Sequence, residues 1–92
     1  MTTNIDIGNH VIVSPKCGIG HDSKISDYVS LLWNVNISGF DIIDEGCLIG
    51  SGATIIQNRI ISKETTIGAG AVVINNIINK STVVGVPGKV IK

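Results

Sequence analysis

The chain has 92 residues, seven basic and seven acidic side chains, and a formal net charge of zero. Hydrophobic residues make up 43% of it but aromatics only 3%, so its apolar mass is aliphatic. Balanced charge without a basic cluster excludes a charge-driven binder of nucleic acid or acidic membrane, and no apolar run approaches the ~20 residues of a membrane span.

From Ile7 onward, every sixth residue is aliphatic: Ile7, Val13, Ile19, Ile25, Leu31, Ile37, Ile43, Ile49, Ile55, Ile61, Ile67 and Val73. With about a third of the chain being Ile, Leu or Val, twelve such hits have odds on the order of one in a million per register. The residue after each is often small, as at Gly8, Ser14, Gly20, Ser26, Gly50 and Gly68. Three positions on stand types that tolerate left-handed backbone angles, among them Asp22, Asn34, Gly46, Gly52, Asn58 and Gly70. Four positions on comes a second, mostly small, inward place: Val11, Cys17, Ser23, Val29, Val35, Cys47, Ala53, Thr65 and Ala71. Asp41 and Arg59 occupy this place too. They break the pattern and predict a bulged corner or a side chain bent outward.

Each hexad therefore reads as a short strand plus a corner. A period of six fits neither a helix nor hairpin-linked alternating strands. The predicted fold is all-β: a single-stranded parallel β-helix over residues 1–92, and the pattern resembles the left-handed hexapeptide-repeat fold, which implies three hexads to a coil and about five coils. After Val73 the pattern fades, with Asn79 and Gly85 where aliphatics are due. The short C-terminal tail "VVGVPGKVIK" is predicted to leave the solenoid and cover its last coil.

A wrap of three hexads stacks each position on the one three hexads later. One column then holds Thr3, His21, Gly39, Gln57 and Asn75; its neighbour holds Asn4, Asp22, Phe40, Asn58 and Asn76. A histidine beside a carboxylate and under a bare glycine amide has the parts of an acyl-transfer site. The imidazole takes the acceptor's proton, and the amide receives charge building on a carbonyl oxygen. The plainer alternative is a pair of polar corner residues.

The segments "PKCGIGHDSKISDYVSLLWNVNISG", "IGSGATIIQN", "TTIGAGAVV" and "VVGVPGKVI" resemble the hexapeptide-repeat acetyltransferases, in particular the C-terminal domain of the sialic acid O-acetyltransferase and nucleotide-amino-sugar N-acetyltransferase family. The resemblance implies a left-handed coil. It implies His21 as general base, Asp22 as the acid that orients it, and Gly39 as the amide that meets the thioester carbonyl. It also implies a homotrimer, with acetyl-CoA as co-substrate in the groove between subunits. The cofactor arm would follow the corner column Trp33, Ser51, Ala69 and Pro87, with Gly39, Gly70, Gly85 and Lys89 meeting the rest. Family members carry a second histidine, near the acceptor, one and a half hexads after the first. Ser30 stands there in this chain, as a substrate-binding candidate. The family's N-terminal α/β sugar-binding domain is not expected in this chain, so the acceptor site is expected either to be incomplete or to be completed by another protein.

The leading expectation is acetyl transfer to a sugar or nucleotide-sugar hydroxyl or amine. The alternative is a non-catalytic trimeric solenoid module derived from such an enzyme. No metal is expected, since the only two histidines, His10 and His21, fall in different columns. Cys17 and Cys47 also lie on different faces and read as buried free thiols. "MTTNID" lacks the features of a signal peptide, which makes a cytoplasmic setting the expectation.

Overall fold

The computed structural model describes residues 4–92. Twelve two-residue strands recur once per hexad: β1 (Asp6–Ile7), β2 (Ile12–Val13), β3 (Gly18–Ile19), β4 (Lys24–Ile25), β5 (Ser30–Leu31), β6 (Asn36–Ile37), β7 (Ile42–Ile43), β8 (Leu48–Ile49), β9 (Thr54–Ile55), β10 (Ile60–Ile61), β11 (Thr66–Ile67) and β12 (Val72–Val73). β13 (Thr82–Val84) and β14 (Lys89–Val90) follow. No helix among the described residues is long and apolar enough to cross a membrane.

Every third strand pairs, in parallel, to give the three faces of a prism. One face is β1-β4-β7-β10, the second β2-β5-β8-β11-β13-β14, and the third β3-β6-β9-β12. Partners such as Ile7 and Ile25, Leu31 and Ile49, or Ile37 and Ile55 are three hexads apart, as the repeat predicts. Four complete coils form and β13 begins a fifth, against the five expected.

Strand residues alternate between inside and outside. The inward Ile25, Leu31, Ile43, Ile49, Ile55, Ile61 and Ile67 are at most 1% exposed and stack on one another from coil to coil. A column of identical branched side chains fills a prism of constant cross-section without gaps, and a bulky ring would interrupt it. The aromatics Tyr28, Trp33 and Phe40 accordingly stand outside, at 63%, 56% and 53% exposure.

Corners repeat as strictly as strands. The third position after each inward aliphatic is left-handed at every corner from Asn4 to Gly70, with φ between 57° and 74°. Glycine or asparagine fills half of these twelve positions; the others are His10, Lys16, Asp22, Tyr28, Phe40 and Glu64. The coil thus imposes the conformation even where the side chain resists it, at roughly 1–2 kcal/mol each.

Beyond Val73 the sequence expectation needs correcting. Ile77 bridges Ile61, and Thr82 pairs with Thr66, each pair closer in sequence than three hexads. The last coil is shorter by two positions, and the shortening falls in the corner after Val73. The hexad pattern changes phase instead of fading: Ile77 and Val83, at 7% and 0% exposure, take the inward places expected at Asn79 and Gly85. Asn76 leaves the Asp22 column, and its side-chain oxygen accepts the Ile60 N–H at 3.0 Å. Asn75 likewise leaves the His21 column. Thr3, the first member of that column, lies outside the described residues.

The tail folds back as an antiparallel strand. Val83 pairs with Val90 and Val84 with Lys89, through a turn at Gly85–Gly88. Val83 and Val84, expected in the departing tail, stay in the solenoid as part of β13; the chain turns out only from Gly85, and β14 then extends the second face. A Cβ on Gly88 would stand 2.9 Å from Val83 Cγ1 and 3.0 Å from Val72 O, so the turn packs down because this residue has no side chain.

Both cysteines are free. Cys47 is buried and its thiol donates to Ser62 O at 3.0 Å. Burial pushes that thiol up to about 11. Cys17 is half-buried and donates to Leu32 O at 2.7 Å.

Candidate functional site

His21 and Asp22 form the corner between β3 and β4. One coil on, Gly39 and Phe40 form the same corner between β6 and β7. The three-hexad wrap brings the two corners into contact: Phe40 N donates to His21 O at 3.0 Å. A Cβ built on Gly39 would lie 3.3 Å from His21 Nε2 and 3.4 Å from Cε1, so the imidazole lies across the face where any other residue would carry a side chain. The Gly39 N–H makes no hydrogen bond among the described residues.

On the other side of the ring, His21 Nδ1 lies 3.1 Å from Asp22 Oδ2. A carboxylate accepts only, so in the neutral ring Nδ1 carries the proton and donates. Nε2 is left with its lone pair, on the side facing Gly39. Phe40 holds the ring from a third direction, edge to face, with centroids 4.9 Å apart and planes at 85°. Its ring packing lies outside the sequence expectation, although its place in the Asp22 column is readable. At 54% side-chain exposure His21 remains open to a reactant.

Behind this corner the core is polar. Ser23, Asp41 and Arg59 stack one coil apart at the second inward place. Ser23 Oγ donates to Ser38 O at 3.0 Å and accepts the Asp41 N–H at 3.2 Å. Asp41 Oδ1 accepts the Arg59 N–H at 2.7 Å. The predicted bulge or outward bend does not occur at Asp41, whose side chain points inward and is fully buried. It stays inside because the ladder gives buried amides acceptors they would otherwise lack. Burial pushes the Asp41 carboxyl up to about 7, against the opposing pull of the Arg59 amide and guanidinium. Arg59 is half-buried and turns Nη1 onto Asn58 O at 3.2 Å. Asp41 Oδ2 and Arg59 Nε, both occluded, have no partner among the described residues.

The remaining predicted site residues lie elsewhere on the prism. Trp33, Ser51 and Ala69 form a row on the corner between the second and third faces, where the Trp33 N–H donates to Ser51 Oγ at 3.3 Å. The shortened register of the last coil carries this row on to Gly85. Pro87 is displaced from it into the tail turn, which corrects the three-hexad extrapolation. Gly70 adjoins the row, and a Cβ there would meet nothing within 4 Å. Lys89 is exposed on β14. Ser30 lies on β5 in the second face, flanked by Ile12 and Leu48. Within one chain neither Ser30 nor the Trp33 row shares a corner with His21. His10 is exposed and stacks on Tyr28 with centroids 5.1 Å apart.

Three parallel faces, hexad corners and coils of three hexads define a β-solenoid of the left-handed, hexapeptide-repeat class. A hexapeptide-repeat acetyltransferase from Vibrio cholerae, complexed with acetyl coenzyme A, superimposes with a TM-score of 0.91 at 18% identity, over 98% of this chain and 60% of that one. The more similar sequences are serine acetyltransferases. That of Bacillus licheniformis is 33% identical over 89 residues and that of Staphylococcus xylosus 36% identical over 90. These matches take in 95% and 96% of this chain, and 41% and 42% of the relatives. The chain thus spans about two fifths of the length of the curated relatives it matches. Among solved structures, a serine acetyltransferase in complex with CoA matches with a TM-score of 0.89 and 32% identity, over 96% of this chain and 39% of that one. No family model matches the chain.

Proposed function

We propose that the chain carries an acetyl-transfer site with acetyl-CoA as donor and His21 as general base. The observation that carries this reading is the placement of His21 Nε2 against Gly39, with the opposite ring nitrogen on Asp22. His21 Nε2 takes the proton from an acceptor hydroxyl or amine as the acceptor's lone pair attacks the thioester carbonyl carbon. The Gly39 N–H receives the negative charge that develops on the carbonyl oxygen. The C–S bond then breaks, and the departing thiolate takes the proton from His21. Asp22 holds the ring in the tautomer this requires and stabilises it when both nitrogens are protonated.

The Trp33 row fits a narrow pantetheine-like arm. Ser51 and Ala69 are small, Gly70 opens onto free space and Gly85 is bare. Lys89 supplies a cation near that end for a phosphate. Because the row and His21 occupy different corners, one complete site takes residues from two copies. A homotrimer related by a threefold axis provides three such sites. Exposed aliphatics on two faces, including Ile12, Ile42, Leu48 and Ile60, supply apolar area for that packing. It would also place the Ser30 face of one copy within reach of the His21 corner of the next.

For the acceptor, the "GHD" segment around His21 supports a hydroxyl or amine of a sugar or nucleotide sugar. Serine is the acceptor in the names of the sequence relatives and belongs in the same assay. The test is acetyl-CoA turnover, followed as free thiol, with amino sugars, nucleotide sugars and L-serine in parallel. Turnover with a sugar and not with serine supports the reading. Turnover with serine alone overturns the acceptor, and no turnover with any acceptor overturns the activity. Ser30, standing where the resemblance implies a second histidine, favours as a second reading a non-catalytic solenoid module. An absence of heat on titrating CoA into the protein would select it.

A further inference from the structure

Ser23 makes two hydrogen bonds that no other second inward residue makes together. Its hydroxyl donates to Ser38 O at 3.0 Å and accepts from Asp41 N at 3.2 Å. Ser38 and Asp41 flank Gly39 and Phe40 on either side, and Ser23 itself follows His21 and Asp22. One buried oxygen therefore pins both ends of the Gly39 turn to the coil that carries His21. At the equivalent places, Cys17 and Cys47 hold the carbonyls of Leu32 and Ser62, and the thiols accept no amide. Val29, Val35, Ala53 and Ala71 have no polar group to offer. Asp41 repeats the device one coil higher by accepting the Arg59 N–H, so the turn is tied from above as well.

We propose that the Ser23 hydroxyl is a positioning group that fixes the Gly39 turn, and with it the Gly39 amide, relative to the His21 imidazole. It touches neither reactant and acts only through the Gly39 turn. Its catalytic consequence rests on the acetyl-transfer reading; its effect on the turn does not.

Ser23→Ala is the direct test, because alanine already fills this place at Ala53 and Ala71 and the variant should fold. Cys47→Ala removes a comparable buried side-chain bond at another corner, away from His21, and serves as the control. Ser23→Cys is the conservative rescue, since Cys17 and Cys47 show that a thiol in this place reaches its carbonyl. Ser23→Ala should lower kcat about tenfold or more with KM for acetyl-CoA changed less than about twofold. Cys47→Ala should leave kcat unchanged, and Ser23→Cys, which restores the carbonyl bond and not the amide bond, should recover only part of it. In parallel, the Gly39 amide proton and nitrogen shifts, and its exchange rate, should move in Ser23→Ala and stay in place in Cys47→Ala. Equal losses of kcat in Ser23→Ala and Cys47→Ala would mean that only stability is at stake and would overturn the inference. An unmoved Gly39 amide in Ser23→Ala would overturn it as well, whether or not the protein transfers acetyl groups. If the wild-type protein is inactive, the function fails and the amide shifts alone decide the placement.

Discussion

His21 and Gly39 are three hexads apart in sequence and in contact in space. Nε2 lies 3.3 Å from the point where Gly39 would carry a Cβ. The coil length creates this contact, and the glycine leaves room for it. The consequence is an imidazole whose Nε2 lies over the bare Cα of Gly39 at the prism surface.

If His21 is the base proposed above, its removal should abolish turnover without disturbing the fold. His21 is exposed, and its loss leaves the aliphatic column intact. His21→Ala is expected to lower kcat by about 10²-fold or more, in the range of a general base. CoA affinity by calorimetry and the thermal midpoint should stay close to wild type. Asp22→Asn should give a smaller loss, because the amide still reaches Nδ1 but no longer enforces the tautomer.

Gly39→Ala tests the contact itself. The new methyl would sit 3.3 Å from Nε2 and 3.2 Å from His21 O, tight enough to make the imidazole give way. Its backbone φ is not in the left-handed region, so alanine brings no dihedral penalty. The fold should persist with a midpoint lowered by a few degrees at most, while kcat falls at least about tenfold. Full activity in this variant would rule out the facing arrangement as the reactive one.

These two residues are legible in the sequence because a strict hexad, wrapped three to a coil as the resemblance implies, fixes which positions stack. The aliphatic columns and the corner positions can be read the same way, from Ile7 to Val73. The last coil cannot. Ile74, Ile77 and Ile78 are all aliphatic, so a loss of two positions among them leaves no mark in composition. The casualty is Pro87, expected on a row that in fact continues to Gly85. Asp41 departs from expectation for a different reason. A lone buried carboxylate is costly, but Ser23 and Arg59 lie one coil away on either side and share its environment. The signal is the polar column, visible only when the three are read together. Handedness rests on resemblance, since general crossover rules favour the opposite hand.

Asp41 should make stability depend on pH. Unfolded, its carboxyl titrates near 3.8; folded, at about 7. The folded state holds the proton more tightly. This contribution is therefore complete below about pH 4 and is lost as pH rises through about 7. Asp41→Asn keeps an acceptor for the Arg59 N–H and carries no charge. Relative to wild type, it should be near neutral at pH 4 and increasingly stabilising up to pH 8, with a ceiling of about 4 kcal/mol. Urea unfolding of both proteins across this range measures the difference. A constant gap would show that Asp41 does not titrate in the window.

Core columns should be intolerant and outward positions permissive. Ile43 is fully buried between Ile25 and Ile61. Ile43→Ala should cost about 3–4 kcal/mol, enough to unfold much of so small a domain at physiological temperature. Ile42, its outward neighbour, is 41% exposed. Ile42→Ala should cost the isolated chain under about 1 kcal/mol but weaken the proposed trimer, read as a shift in sedimentation toward the single chain.

Relief of corner strain should stabilise the coil. Lys16 is exposed at φ 63°, where an L side chain is disfavoured and glycine is not. Lys16→Gly is expected to raise stability by about 0.5–1 kcal/mol, the left-handed penalty less the greater chain entropy of glycine. The thermal midpoint reports it directly.

The reversal at Gly85–Gly88 makes the two ends of the molecule unlike. A parallel stack of short strands is a template that could accept rung after rung, in the manner of a fibre. On the second face that template is terminated from within the same chain: β14 runs against β13, so a further rung would meet the wrong polarity, beside the charges of Lys89 and Lys92. Deleting the final strand should therefore do more than lower stability. It should expose an aliphatic rung at β13 and turn a discrete particle into one prone to growing end on end.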